Sequence, residues 1–412
     1  MSRGSPWPAI LGYYLIGVLG AAQMGKLSAL APQIAAELGL SLTTAAAAVS
    51  LLEVGGATLG AVAGLLAQRI GLKRTLLGGL ACLALGGGGA GFAQGAVSLL
   101  AWRLVEAIGF LGVIVTAPVL IASVAGPVIG VALALWSSFV PVGLALGAWL
   151  WAALAAQFGW RPALMVAGGL ALLALGACAF AQARGPVPVA HAAAHDRSAG
   201  TGAAGLPNGG GAADLRNGGG AAVWCLAASF GCCTLAEVGL LALLPSFLVG
   251  QAGAAQTVAA SWTGVASIAA VAGSLVAALL LRRGVDPRGP VVASMALPAL
   301  LMFGVFVEAP LLLRSALLAT LLNAIYGVYF SLAFAALPAA AGGAAGMVRA
   351  NGLLAQFGAG GALIGPPLMA AGVERWGWPA AAWCSAVLTL VGVPLALRGL
   401  RPQPAPGRSQ AG

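Results

Sequence analysis

Twelve runs of about 20 residues or more, almost free of charge, divide this chain. They fall at about 9–31, 45–67, 75–94, 98–121, 128–152, 161–182, 222–249, 257–281, 289–308, 312–336, 348–372 and 377–398. As a helix, a run of that length spans the apolar thickness of a bilayer. Lipid offers no water to a bare backbone, so each run has to satisfy its own N–H and C=O groups, as a helix does. Charged residues are only 7% of 412, against about 25% in a soluble domain. The expectation is an all-α membrane protein with twelve transmembrane helices. Glycine, at 63 residues, suits the close helix approach that packing in lipid rewards. The first run exceeds the apolar core of a signal peptide and reads as a retained helix behind Arg3.

Most connections between the runs are short. The exception, near 183–221, holds Gly-Gly-Gly at 209–211 and at 218–220 together with Pro186, Pro188 and Pro207. That composition reads as a flexible linker. It divides the chain into an N-terminal bundle of six helices (1–183), a linker (184–221) and a C-terminal bundle of six (222–412). With the N-terminus cytoplasmic, fourteen Lys and Arg residues fall in inner loops and termini and four in outer ones, leaving Arg103 within a helix. Cytoplasmic loops carry the excess of basic residues, so both termini and the linker are expected in the cytoplasm. The bilayer partner is then a bacterial inner membrane.

The halves repeat one another. Adding 213 to Pro32, Gly60, Arg69 and Gly71 reaches Pro245, Gly273, Arg282 and Gly284. Adding 218 to Phe139, Gly143, Gly147, Gly159 and Trp160 reaches Phe357, Gly361, Gly365, Gly377 and Trp378. Each half has six helices, so both begin on the same side of the membrane. Parallel repeats of this kind are related by an axis along the membrane normal.

Between the second and third runs lies Gly64-Leu65-Leu66-Ala67-Gln68-Arg69-Ile70-Gly71-Leu72-Lys73-Arg74, with three cations in six positions. It resembles the loop between helices 2 and 3 of the major facilitator superfamily, roughly G-x-x-x-D-R-x-G-R-K/R. Gly64, Arg69, Gly71, Lys73 and Arg74 fit, while Gln68 stands where the pattern has aspartate. The resemblance implies the major facilitator fold, two parallel six-helix repeats, and a role for this loop in conformational gating. Arg103-Leu104-Val105-Glu106-Ala107-Ile108-Gly109 resembles the superfamily's helix 4. Segments such as Gln23-Met24-Gly25-Lys26 and the run from Asn351 to Pro366-Pro367 resemble the branch of cyanate and nitroimidazole permeases.

In the resembled fold, helices 1, 4, 7 and 10 line the central cavity, and helices 2, 5, 8 and 11 join the halves. Ionisable residues in a membrane are functional candidates. Here they are Lys26, Glu53, Arg103, Glu106 and Glu237. Asn323, Tyr326 and Tyr329 on helix 10 share roughly one face. Lys26 and Arg103 stand at a similar depth, about 7–8 Å below the outer face. Together they suggest a cationic shelf for a small anion, with Asn323, Tyr326 and Tyr329 completing the substrate site. The competing expectation is that Arg103 pairs with Glu106 while Lys26 snorkels, leaving a cavity for an uncharged molecule. Glu237 is the leading carrier of a coupled proton, with Glu106 and Glu53 as further candidates. Gly143 and Gly147 on helix 5, and Gly361 and Gly365 on helix 11, are expected at a sliding contact between halves. Pro141 and Pro366-Pro367 are expected to kink those helices as hinges.

The function classes narrow accordingly. A P-loop is missing from the sequence, so ATP is not expected to drive it. No filter-like loop recommends a channel. Among the apolar runs, no Ser-His-Asp set or metal-ligand cluster suggests an enzyme. The two histidines, His191 and His195, fall in the linker, and the six cysteines lie in apolar runs as packing residues. A net charge of +10 is scattered over loops and does not read as a nucleic-acid surface. The expectation is a monomeric secondary carrier for a small molecule, with a proton as coupling ion, no metal and no cofactor.

Overall fold

The computed structural model describes residues 5–136, 138–183, 219–307, 311–341 and 344–400. Among these, twelve helices are long and apolar enough to cross a membrane. They are α1 (Trp7–Leu38), α2 (Leu42–Gly60), α3 (Leu72–Phe92), α4 (Ala96–Val128), α5 (Phe139–Phe158), α6 (Trp160–Gln182), α7 (Gly220–Gly250), α8 (Gln256–Arg282), α9 (Arg288–Val305), α10 (Leu312–Leu337), α11 (Ala350–Trp376) and α12 (Pro379–Gly399). Of the expected linker, 184–221, residues 184–218 lie outside the described residues, as do the Gln68 side chain and both histidines, while 219–221 already belong to the helix that begins at Gly219.

Two helices differ from their apolar runs. A 3-10 turn at Leu51–Glu53 breaks α2, which then continues helical to Ile70. The fifth run is divided into a short helix, Ile129–Trp136, and α5. Pro141 is therefore the third residue of α5 and not an internal kink. Its missing N–H falls in a first turn, where that donor has no partner in any helix. By contrast, the α11 helix runs through Pro366 and Pro367.

The repeat is visible in the backbone. Positive φ occurs at Gly39 and Gly253, at Gly71 and Gly284, and at Gly159 and Gly377. Each pair ends equivalent helices in the two halves, and at Gly71 (φ 101°) only glycine accepts the turn without strain. Packing repeats as well. A Cβ on Gly143 or Gly147 would strike the Val18 or Ala22 carbonyl of α1, and one on Gly361 or Gly365 would strike the Gly231 or Leu235 carbonyl of α7. Val18 and Ala22 plus 213 are Gly231 and Leu235. These four glycines thus bring α5 onto α1 and α11 onto α7 inside each half. They do not stand at the contact between halves, where the sequence pattern was expected to put them.

That contact is made by α2 against α11 and α5 against α8. Gly56 sits opposite Ala359, and Gly264 lies against the Trp149 indole. Alternating helices place both termini at one end of the bundle, called here the terminal end. The seam is tightest at the other end. There Thr43 donates from its backbone N–H (2.8 Å) and its hydroxyl (2.6 Å) to Glu374. Gln256 donates to the Ala29 carbonyl at 2.8 Å, and Ser28 to that of Leu241 at 2.8 Å. A small apolar cluster of Ala29, Ala148, Ala152 and Ala260 fills the same region.

Candidate functional site

Below that closed end the halves separate around a cavity of about 760 Å³. Its wall draws on α1, α2, α4 and α5 from one half and on α7, α8, α10 and α11 from the other. Toward the terminal end it reaches Gly60, Ser138, Ser274 and Gly352. Most of the wall is apolar, with scattered hydroxyls such as Ser50, Thr234, Thr263 and Ser267.

Two of the described wall residues carry ionisable side chains, Glu53 from α2 and Glu237 from α7. Glu53 follows from the break in its helix, since it closes the 3-10 turn. It lies beside Gly56, whose missing side chain leaves room in front of the carboxylate. Glu237 belongs to a stripe on α7 with Phe230, Thr234 and Leu241, spaced as one helical face. Glu53 is about 16 Å from the start of α2 and Glu237 about 20 Å from the end of α7, so both are near mid-membrane. Among the described residues neither is joined to another side chain by a hydrogen bond or ion pair. The same wall carries a cluster of rings: the Phe230 centroid is 4.9 Å from that of Phe330 and 5.4 Å from that of Phe334. All three rings line the cavity.

Lys26 and Arg103 are on cavity helices, as expected, but face away from the cavity. Both are fully buried in the N-terminal half and both pair with Glu106, which is equally buried. Arg103 reaches the Glu106 carboxylate at 2.6 Å. Its remaining donors go to the carbonyls of Ala48 (2.8 Å), Val49 (3.1 Å) and Gln23 (3.2 Å). Lys26 also donates to the Gln23 side chain at 2.7 Å. The expected open shelf is thus a closed cluster, because the carbonyls re-aimed by the α2 break take up the guanidinium. Lys26 does not snorkel either.

In the C-terminal half a neutral set does comparable work. Asn323 of α10 donates to the Ala266 carbonyl of α8 at 2.6 Å, and the Tyr329 hydroxyl meets Ser229 at 2.6 Å. Asn323, Tyr326 and Tyr329 are all buried in the core of their own half. The cavity face of α10 is instead Gly327, Phe330 and Phe334, one residue round the helix. Phe230, Phe330 and Phe334 were missed from sequence. The α7 stripe through Phe230, Thr234 and Glu237 was the available signal. Arg69 and Arg74 are exposed and Lys73 half-exposed where α2 turns into α3 at Gly71, remote from the cavity wall.

Two similar six-helix halves around one central cavity, closed at one end, make a carrier fold. The sequence profile of the Major Facilitator Superfamily matches residues 13–348, and the chain belongs to that superfamily. It is a membrane transporter and not an enzyme. Similar solved structures include a bacterial homolog to the human lysosomal transporter Spinster in an inward-facing and unoccupied conformation. It is 16% identical with a TM-score of 0.69, covering 97% of this chain and 95% of that one. The same homolog in an inward-facing and occupied conformation is 15% identical with a TM-score of 0.70, at the same coverage. No curated protein matches the chain.

Proposed function

We propose that the protein is a secondary carrier that exports a drug-sized, largely apolar molecule by alternating access, in exchange for protons taken up at Glu237. The observation that carries this reading is the 760 Å³ cavity between the halves, with Glu237 unpaired in a mostly apolar wall. That volume falls in the range of about 300–1,000 Å³ typical of drug-sized ligands. A buried carboxyl that can gain and lose a proton is what proton coupling needs. A small anion, the cargo implied by likeness to cyanate and nitroimidazole permeases, would find Lys26 and Arg103 already paired. With the termini and the 184–221 linker cytoplasmic, as the loop charges argue, the closed end is periplasmic and the cavity is loaded from inside. The bundles 1–183 and 222–412 are then the rocking bodies, and the Gly64–Arg74 loop supports their cycling at the cytoplasmic face.

Counterflow in proteoliposomes tests this. Vesicles loaded with fluorescent drug-like dyes are given an imposed pH gradient. The Glu237→Gln variant is expected to lose gradient-driven accumulation while retaining dye exchange at equal pH. Accumulation by the variant at the parent rate would assign the proton elsewhere. Absence of saturable exchange in the parent with every dye would overturn the carrier reading.

A further inference from the structure

We infer that the cavity selects monovalent organic cations, with the positive charge held between Glu53 and Glu237 and an apolar body laid against the rings of Phe230, Phe330 and Phe334. This rests on the carrier reading only for the statement that the cavity is the cargo site.

Among the described cavity-lining residues there is no lysine, arginine or histidine. The two cations within the membrane spans, Lys26 and Arg103, are engaged with Glu106 in the core of the N-terminal half. Glu53 and Glu237, from opposite halves, therefore face one cavity without a compensating charge. An anionic ligand would meet no attraction there and like charge whenever either carboxylate is ionised, which is strongly unfavourable in a poorly hydrated site. A neutral ligand would leave both carboxylates unpartnered. A ligand with one positive charge gives them a partner.

The rings add the second half of the pattern. On α7, Phe230 is seven residues from Glu237 on the same face, about 10 Å along the helix. Cations are attracted to ring faces, and the same faces cover apolar surface. The complementary ligand thus has a charged head at the level of Glu237 and an aromatic or aliphatic body extending about 10 Å toward the terminal end. Protons compete with such a ligand for the same carboxylates. Groups near them on the core side are Cys233 and Tyr326 behind Glu237, and the Lys26–Glu106–Arg103 cluster behind the α2 backbone near Glu53.

Two probes of the same shape and opposite charge make the test. Binding of tetraphenylphosphonium and of tetraphenylborate is measured by calorimetry on the full-length protein in nanodiscs at pH 8 and at pH 5.5. Tetraphenylphosphonium is expected to bind at pH 8, more weakly at pH 5.5, and about tenfold more weakly in Glu53→Gln or Glu237→Gln. Phe330→Ala is expected to weaken it also, with thermal unfolding of each variant confirming the fold. Tetraphenylborate is expected not to compete. Competition by tetraphenylborate as strong as self-competition would overturn the proposal, as would parent-like tetraphenylphosphonium binding in both glutamate variants. The test needs no transport. A parent that binds tetraphenylphosphonium but shows no saturable exchange of it or of any dye upholds the ligand class and overturns the carrier reading. A parent that exchanges neutral dyes but does not bind tetraphenylphosphonium does the reverse.

Discussion

Glu374 accepts two hydrogen bonds from one residue of the opposite half, the N–H and hydroxyl of Thr43. Thr43 is the second residue of α2, so the carboxylate of α11 also faces the positive end of a helix dipole. Ser41, the N-cap, accepts separately from the Thr44 N–H at 3.1 Å and leaves the Thr43 donor to Glu374. The contact is exposed, and screening limits it to about 1 kcal/mol. That is enough to shift a balance between open and closed ends roughly fivefold. Glu374→Gln is expected to raise the population open at this end. Spin labels at Ala36 and Trp376, on a cysteine-free background, would report it as a larger fraction of long distances. An unchanged distribution would reduce Glu374 to a surface contact.

At the scale of elements, α2 is two helices end to end, Leu42–Ser50 and Val54–Ile70, joined by the turn that presents Glu53. Arg103 holds this join by donating to the Ala48 and Val49 carbonyls just before it. Arg103→Leu would leave those carbonyls unpaired in a dry core and remove one partner of Glu106. A loss of about 3–5 kcal/mol is expected for breaking such a buried pair. It would be read as a lower unfolding temperature in detergent. Arg103→Lys should rescue only part, since one ammonium cannot reproduce the planar fork. A leucine variant as stable as the parent would show that the join holds itself. The twelve helices and their repeat were legible because lipid forces every spanning run to be helical and apolar. The rotation of each helix about its axis was not. A helix apolar all round carries no stripe to mark its cavity side, so nothing in the sequence shows that Lys26, Arg103, Asn323, Tyr326 and Tyr329 face the core. Glu53 and Glu237 were picked out as rare charges, but their shared cavity follows only from how the halves are set.

At the scale of the whole molecule, the ion pairs among the described residues all lie within the N-terminal half. Among the described residues no ion pair crosses the seam between halves; single hydrogen bonds and alanine contacts do. Such a seam can part without stranding a buried charge. The two unpaired carboxylates of the cavity have a further effect, on voltage. Both are near mid-membrane, so their charge moves through part of the electric field whenever the cavity changes sides. Ionised, the site carries two negative charges; one monovalent cation leaves one, and two protons leave none. A cycle returning two protons for each exported cation carries one positive charge inward. An interior-negative potential of 100 mV would then add about 2.3 kcal/mol per turnover to the driving force. A cycle that used a single carboxylate would gain nothing from the potential. Tetraphenylphosphonium exchange on a solid-supported membrane is expected to give a net current in the parent, and electroneutral exchange in Glu53→Gln would place the second charge on that residue. A silent parent would mean one proton per cation, and a transporter powered by acidity alone.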